Sequence, residues 1–145
     1  MVCTFFGHAD CYGLDSNVLQ SAIEELIQNG ADTFYVGHQG NFDRMVFSCL
    51  IRLKNIYPNI SFAVVLAYLP IQKTERDPYR GYSLYPDGIE NGLRRFAIER
   101  RNKWLIDHAD YCLCYVMHTW GGAYKFAKRA KKKGLKTFNL GDVEL

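Results

Sequence analysis

Apolar positions along the chain follow two alternating periods. Residues 2–6, 33–36 and 60–68 are short, nearly continuous apolar runs, the pattern of strands buried in a sheet. Between them the period lengthens to that of a helix. Leu19, Ile23, Leu26 and Ile27 recur at helical spacing within residues 16–29, and Phe42, Val46, Cys49, Leu50 and Leu53 form one stripe within residues 41–57. Asp15 or Ser16 can cap the first helix, Gly30 stands at its end, and Pro58 stops the second. The alternation resumes with helical residues 89–108, a strand at 110–116, a helix at 122–133 closed by Gly134, and a last strand at 137–140. Phe96, Ile98, Trp104 and Leu105 supply the expected apolar face of the 89–108 helix, whose start Gly92 weakens.

This order predicts an α/β fold: a single Rossmann-like, three-layer domain over residues 1–145, with helices on both faces of a mostly parallel sheet of about five strands. The run at 60–68 is apolar throughout, as expected of a strand covered on both faces. No internal repeat or domain boundary breaks the pattern. One stretch departs from it. Residues 70–88 are polar and carry Pro70, Pro78, Pro86, Gly81 and Gly88, with Tyr79, Tyr82 and Tyr85 spaced three apart. Two readings stand: a surface loop whose tyrosines pack on the nearest helix, or a flap that covers a ligand.

Composition narrows the function classes. A hydrophobic content of 48% excludes a disordered chain, and a net charge of +3 is too small to demand a nucleic-acid partner. Lys125, Lys128, Arg129, Lys131, Lys132, Lys133 and Lys136 nevertheless crowd one region, either as a solvated helix face or as an attraction for an anionic partner. Cys3, Cys11, Cys49, Cys112 and Cys114 lack metal-ligand spacing, so no metal is expected, and an odd set of thiols points to a reducing, cytoplasmic setting. Cys112 and Cys114 lie two apart on a strand and face the same side. No leader-like segment and no apolar run of membrane length occurs, so no membrane partner is expected.

The candidate chemistry sits where strands hand over to helices. Three glycine-bearing turns occupy such places: Phe5-Phe6-Gly7-His8-Ala9-Asp10, Tyr35-Val36-Gly37-His38-Gln39-Gly40-Asn41-Phe42-Asp43, and Trp120-Gly121-Gly122-Ala123. Glycine admits close backbone approach, and a helix N-terminus favours negative charge. At the carboxyl edge of a parallel sheet, three such turns predict one pocket for a phosphorylated ligand. The dinucleotide fingerprint G-x-G-x-x-G and the Walker A lysine loop are both absent, so no nicotinamide cofactor or P-loop chemistry is expected.

These turns, together with Arg101-Asn102 and Asp107-His108-Ala109-Asp110, resemble the SLOG superfamily, the Rossmann-like group that includes the LOG phosphoribohydrolases and DprA, and most of all its small YpsA-type bacterial or phage members. The resemblance spans nearly the whole chain. It implies binding of a nucleotide or nucleotide-derived signal by a sensor or sequestering module. It also marks departures. Ala9 stands where the family commonly has arginine, Ala123 replaces a hydroxyl residue, and residues 124–129 lack the glutamate with which LOG enzymes assist glycosidic cleavage. Glu99 is the nearest helix carboxylate that can stand in.

The candidate ligand-binding set is therefore Gly7, His8, Gly37, His38, Gly40, Asp43, Arg101, Asn102, Gly121 and Gly122. Arg101 offers a planar fork for phosphate, with an ion pair to Glu99 or Asp107 as the structural alternative, while Arg100 points away. Asp43 either steadies a helix start or accepts a ribose hydroxyl. His8 and His38, joined by His118, can donate to phosphate or exchange protons. Trp120 either stacks on a base or packs against the sheet edge. Besides binding, two alternatives stay open: a nucleotide hydrolase of the phosphoribohydrolase kind, and a DprA-like nucleic-acid accessory role, which the modest charge disfavours. Self-association into a homo-oligomer is also left open.

Overall fold

In the computed structural model, which describes residues 1–68, 79 and 81–145, the chain forms one α/β domain. In chain order the elements are β1 (Val2–Gly7), α1 (Ser16–Gln28), β2 (Thr33–Val36), α2 (Gly40–Ile56), β3 (Ser61–Val65), β4 (Ser83–Leu84), a 3-10 turn (Arg94–Phe96), α3 (Ala97–Asp107), β5 (Tyr111–Tyr115), α4 (Gly121–Lys133) and β6 (Lys136–Asn139). The strands form a single sheet in the order β4-β3-β2-β1-β5-β6. Every pairing is parallel. Among the described residues the sheet thus has six strands rather than about five, and is wholly parallel rather than mostly so.

Side-chain alternation along the strands builds two cores. Cys3, Phe5, Leu113 and Tyr115 face Leu19, Ile23, Val46 and Leu50 of α1 and α2. Phe6, Cys112, Cys114 and Val116 face Leu105 of α3 and Phe126, Ala127 and Ala130 of α4. Helices therefore cover both faces, and Cys112 and Cys114 share one side as their spacing predicts. All five cysteines are free and buried. Asp15 caps α1 by accepting from the Asn17 backbone N–H at 2.7 Å. Gly134 ends α4 in the left-handed conformation.

Three expectations change. The strand at 60–68 is shorter, because β3 spans only Ser61–Val65 and its first residues are not fully covered. The extra strand β4 comes from the stretch read as loop. There Tyr82 stacks on Phe62 at 5.2 Å, and Tyr79 and Tyr82 both meet Phe47 of α2 edge-on. These two tyrosines pack on α2 and β3. The rest of the expected flap, residues 70–78 and 80, lies outside the described residues. Finally, the helix expected over 89–108 begins only at Ala97, since Gly92 adopts a positive φ and Leu93 is extended. Its buried face is Ala97, Arg101, Asn102, Leu105 and Ile106, whereas Phe96 and Ile98 are exposed. Among the described residues no helix is long and apolar enough to cross a membrane.

Candidate functional site

Chain order along the sheet reverses between β1 and β5, because β2, β3 and β4 lie to one side of β1 and β5 and β6 to the other. The carboxyl ends of strands at such a switch form the ligand crevice of open parallel sheets. A cavity of about 240 Å³ lies at this place. Its walls include Gly7 at the end of β1 and His8 just after it, Gly37 and Gln39 after β2, Asp43 on α2, Arg101 and Asn102 on α3, and Gly122 and Ala123 at the start of α4. The three turns therefore converge on one space. Of the candidates, His38, Gly40 and Gly121 are not among the lining residues.

The floor is a buried polar cluster. Arg101 is 2% exposed. Its Nη1 donates to the Val65 carbonyl at 3.0 Å, its Nη2 to Gln39 Oε1 at 2.9 Å, and its Nε to Asn102 Oδ1 at 2.8 Å. The guanidinium thus ties β3, the second turn and α3 together. The ion-pair alternative for it is not observed: Glu99 pairs with Lys125, and Asp107 with Lys103 and Lys133. Arg100 points to residues 89–93, donating to the Ile89 and Leu93 carbonyls.

Asp43 accepts from the Gln39 backbone N–H at 2.9 Å. Burial pushes its carboxyl up to about 6, with Arg101 and the Gln39 hydrogen bond opposing that rise. Burial correspondingly lowers the Arg101 pKa, against the pull of Asp43. Sequence reasoning quoted Gln39 without weighing it, although it joins Arg101 to Asp43. An amide between two turn glycines was the available signal.

Asn102 supplies the donor that the protein leaves unused. It is 8% exposed and lines the cavity. Because Oδ1 accepts from Arg101, the amide orientation is fixed, and among the described residues Nδ2 has no hydrogen-bond partner. Among the described residues no fully buried side-chain nitrogen or oxygen lacks a partner, so Nδ2 keeps some exposure, and Asn102 lines the cavity. Beside it, α4 starts with no side-chain cap and no acid in its first turn. The first N–H groups of a helix have no partner within it, and its dipole favours an anion there.

The glycines divide by what surrounds them. A Cβ on Gly37 would lie 2.8 Å from Asp43 Oδ2 and 2.9 Å from Arg101 Nη1. Gly7 is pressed against the Phe42 ring and Gly40 against Ala9. A Cβ on Gly122 would meet nothing within 4 Å.

The histidines separate. His8 Nε2 accepts from the Met117 backbone N–H at 2.9 Å, and its ring stacks on His118 at 4.0 Å. Partial burial and His118 both lower the His8 pKa, which favours a neutral ring. His118 stacks in turn on Trp120 at 3.8 Å. His38 instead faces Ala67 and Tyr79, so His8 and His38 do not act on one point. Among the described residues no group of three His, Cys, Asp or Glu side chains is placed to hold a metal. The basic residues of α4 spread outward: Lys125 to Glu99, Lys133 to Asp107 and Lys131 to the Leu145 carbonyl. No protein-family model matches this chain, and no curated protein matches it.

Proposed function

We propose that the protein binds a phosphorylated, nucleotide-derived small molecule in the switch-point cavity, as a sensing or sequestering module. The single observation that carries this reading is the unpartnered Asn102 Nδ2, held in a buried site beside the bare N-terminus of α4. A phosphate there accepts from Asn102 and from the helix N–H groups together. Asp43 and Gln39 on the opposite wall suit ligand hydroxyls. A carboxylate beside a phosphate would repel it, whereas it accepts readily from a sugar hydroxyl.

A hydrolytic reading draws on one observation, that Asp43 and His8 line the same cavity. Binding without turnover is favoured because His8 Nε2 is already engaged with the backbone and Glu99 is engaged by Lys125 outside the lining.

Titration calorimetry with adenosine 5′-monophosphate and with adenosine tests the reading. The monophosphate should bind more tightly, and Asn102→Leu should weaken it about tenfold or more, the scale of a hydrogen bond to a charged group. Equal affinity for the two compounds would remove the phosphate site. Release of free base or ribose phosphate over many turnovers would replace binding with hydrolysis.

A further inference from the structure

The cavity is smaller than the roughly 300–1,000 Å³ of sites that enclose drug-sized ligands. At about 240 Å³ it leaves part of a nucleotide-sized molecule outside, on the rim. The rim carries a feature that the phosphate reading does not use. His8, His118 and Trp120 form a ladder of three stacked rings, with interplanar angles of 19° and 18°. One end, His8, lines the cavity. The other end, Trp120, is 67% exposed. Its indole stacks on His118 through one face, and among the described residues no other ring or cation lies against it.

The ladder is held in place before any ligand arrives. His8 is tied to the Met117 backbone, and His118 Nδ1 lies 3.0 Å from the Trp120 carbonyl oxygen. Trp120 is also the N-cap residue of α4, two residues before the cavity-lining Gly122. Trp120 and Gly122 are two residues apart, so their Cα atoms lie within about 7 Å of each other, a span that the sugar of a nucleotide covers. Exposed aromatic rings with polar handles serve such half-wet contacts, and stacking accepts any planar base.

We propose that the outer face of Trp120 is a stacking platform for the heterocyclic base of the ligand, with the sugar phosphate inside the cavity. This rests on the phosphate reading above. It assigns the ligand two separable parts, and the platform contributes only to the part that carries a base.

Calorimetry with adenosine 5′-monophosphate and ribose 5-phosphate separates them. Trp120→Ala should weaken the nucleotide about tenfold, within the usual range for one stacked base, and leave ribose 5-phosphate within about twofold. Trp120→Phe should restore most of the loss. In a Trp104→Phe background, the nucleotide should quench the emission of Trp120 and ribose 5-phosphate should not. Equal losses for both ligands, no loss for the nucleotide, or unquenched emission on nucleotide binding would each overturn the platform while leaving the phosphate site standing. If the wild-type protein binds neither compound, the cavity reading falls and the platform with it.

Discussion

The two walls of the cavity carry the same sequence signal for different physical reasons. On the wall formed by the first and second turns, glycine is required by the protein itself. Gly37 makes room for the Asp43 carboxylate and the Arg101 guanidinium, and Gly7 makes room for Phe42. The two charged groups of that wall already have protein partners: Arg101 donates to three, and Asp43 accepts from Gln39. On the wall formed by the third turn, Gly122 faces open space, α4 starts uncapped, and Trp120 stands in solvent. A glycine after a strand therefore marks close approach, but the approaching group is protein at one wall and empty space at the other. The packed wall sets the shape of the site. The open wall is where a ligand has something to gain.

The largest effect should come from cutting the packed wall at its centre. Arg101→Met removes the donor to Val65, Gln39 and Asn102 and the nearby positive charge that opposes the rise in the Asp43 pKa. Leaving buried acceptors unpaired costs about 1–3 kcal/mol each. Denaturant unfolding at neutral pH should show a loss of that size. Adding Asp43→Asn to Arg101→Met should recover part of it, because the buried charge is then gone. A loss below about 1 kcal/mol would show that Arg101 is not the keystone of this wall and would return it to the role of a free anion contact.

The same wall should respond to pH. An unfolded aspartate titrates near 3.9, whereas burial pushes Asp43 up to about 6. Below about pH 4 both states hold the proton. Between about 4 and 6 the native state keeps a proton that the unfolded state has lost, so stability falls as pH rises through this window. The fall amounts to about 2–3 kcal/mol and is complete above it. Subtracting the stability of Asp43→Asn from that of the wild type at each pH cancels other titrating groups. The difference should slope downward from pH 4 to pH 6 and then level. A flat difference would mean that Asp43 titrates normally and that the wall is open to water.

Much of this architecture was legible in the chain, and the exceptions are instructive. The main strands and helices were readable because their apolar period is local. Strand β4 was not, since two residues amid proline, glycine and tyrosine carry no period and are held by β3. The burial of Arg101 was hidden for a related reason. Its neighbours Glu99, Arg100, Asn102 and Lys103 are all polar, so the apolar stripe pointed to Phe96 and Ile98 instead. The partners that make its burial tolerable, Val65 and Gln39, come from distant parts of the chain. Convergence of the turns followed from sheet topology and was foreseeable. Which glycines serve packing was not, because that depends on side chains arriving from other elements.

The sharpest contrast between the walls is one substitution made on each. Gly37→Val places methyl groups against Asp43 and Arg101 and should cost about 1–3 kcal/mol of stability through overpacking. At Gly122 an added Cβ meets nothing within 4 Å, so Gly122→Val should stay within about 0.5 kcal/mol of the wild type, as surface changes do. Its branched side chain instead fills ligand space, and affinity for adenosine 5′-monophosphate should fall at least about tenfold, or 1.4 kcal/mol. Denaturation and calorimetry on the same two samples check both halves. A destabilised Gly122→Val with unchanged affinity would reverse the assignment of the walls.

The smallest effect should come from Glu99, and its smallness has consequences for mechanism. Glu99 is a helix carboxylate near the site by sequence, one residue from the cavity-lining Ile98 and two from Arg101. In the fold it turns outward and pairs with Lys125 of α4, with both side chains substantially exposed. Exposed pairs contribute little because water screens them and two flexible chains must be ordered. The pairing lowers the Glu99 pKa through the Lys125 hydrogen bond, so the group stays ionised and cannot serve as a proton donor near neutral pH. Glu99→Gln should therefore leave the unfolding midpoint, the affinity for adenosine 5′-monophosphate and any base release unchanged within error. If slow release of free base exists and survives Glu99→Gln but disappears in Asp43→Asn, the packed wall carries chemistry as well as shape. If it disappears in Glu99→Gln, the carboxylate must reach the cavity by a rotation of the α3 side chains that breaks its pair with Lys125.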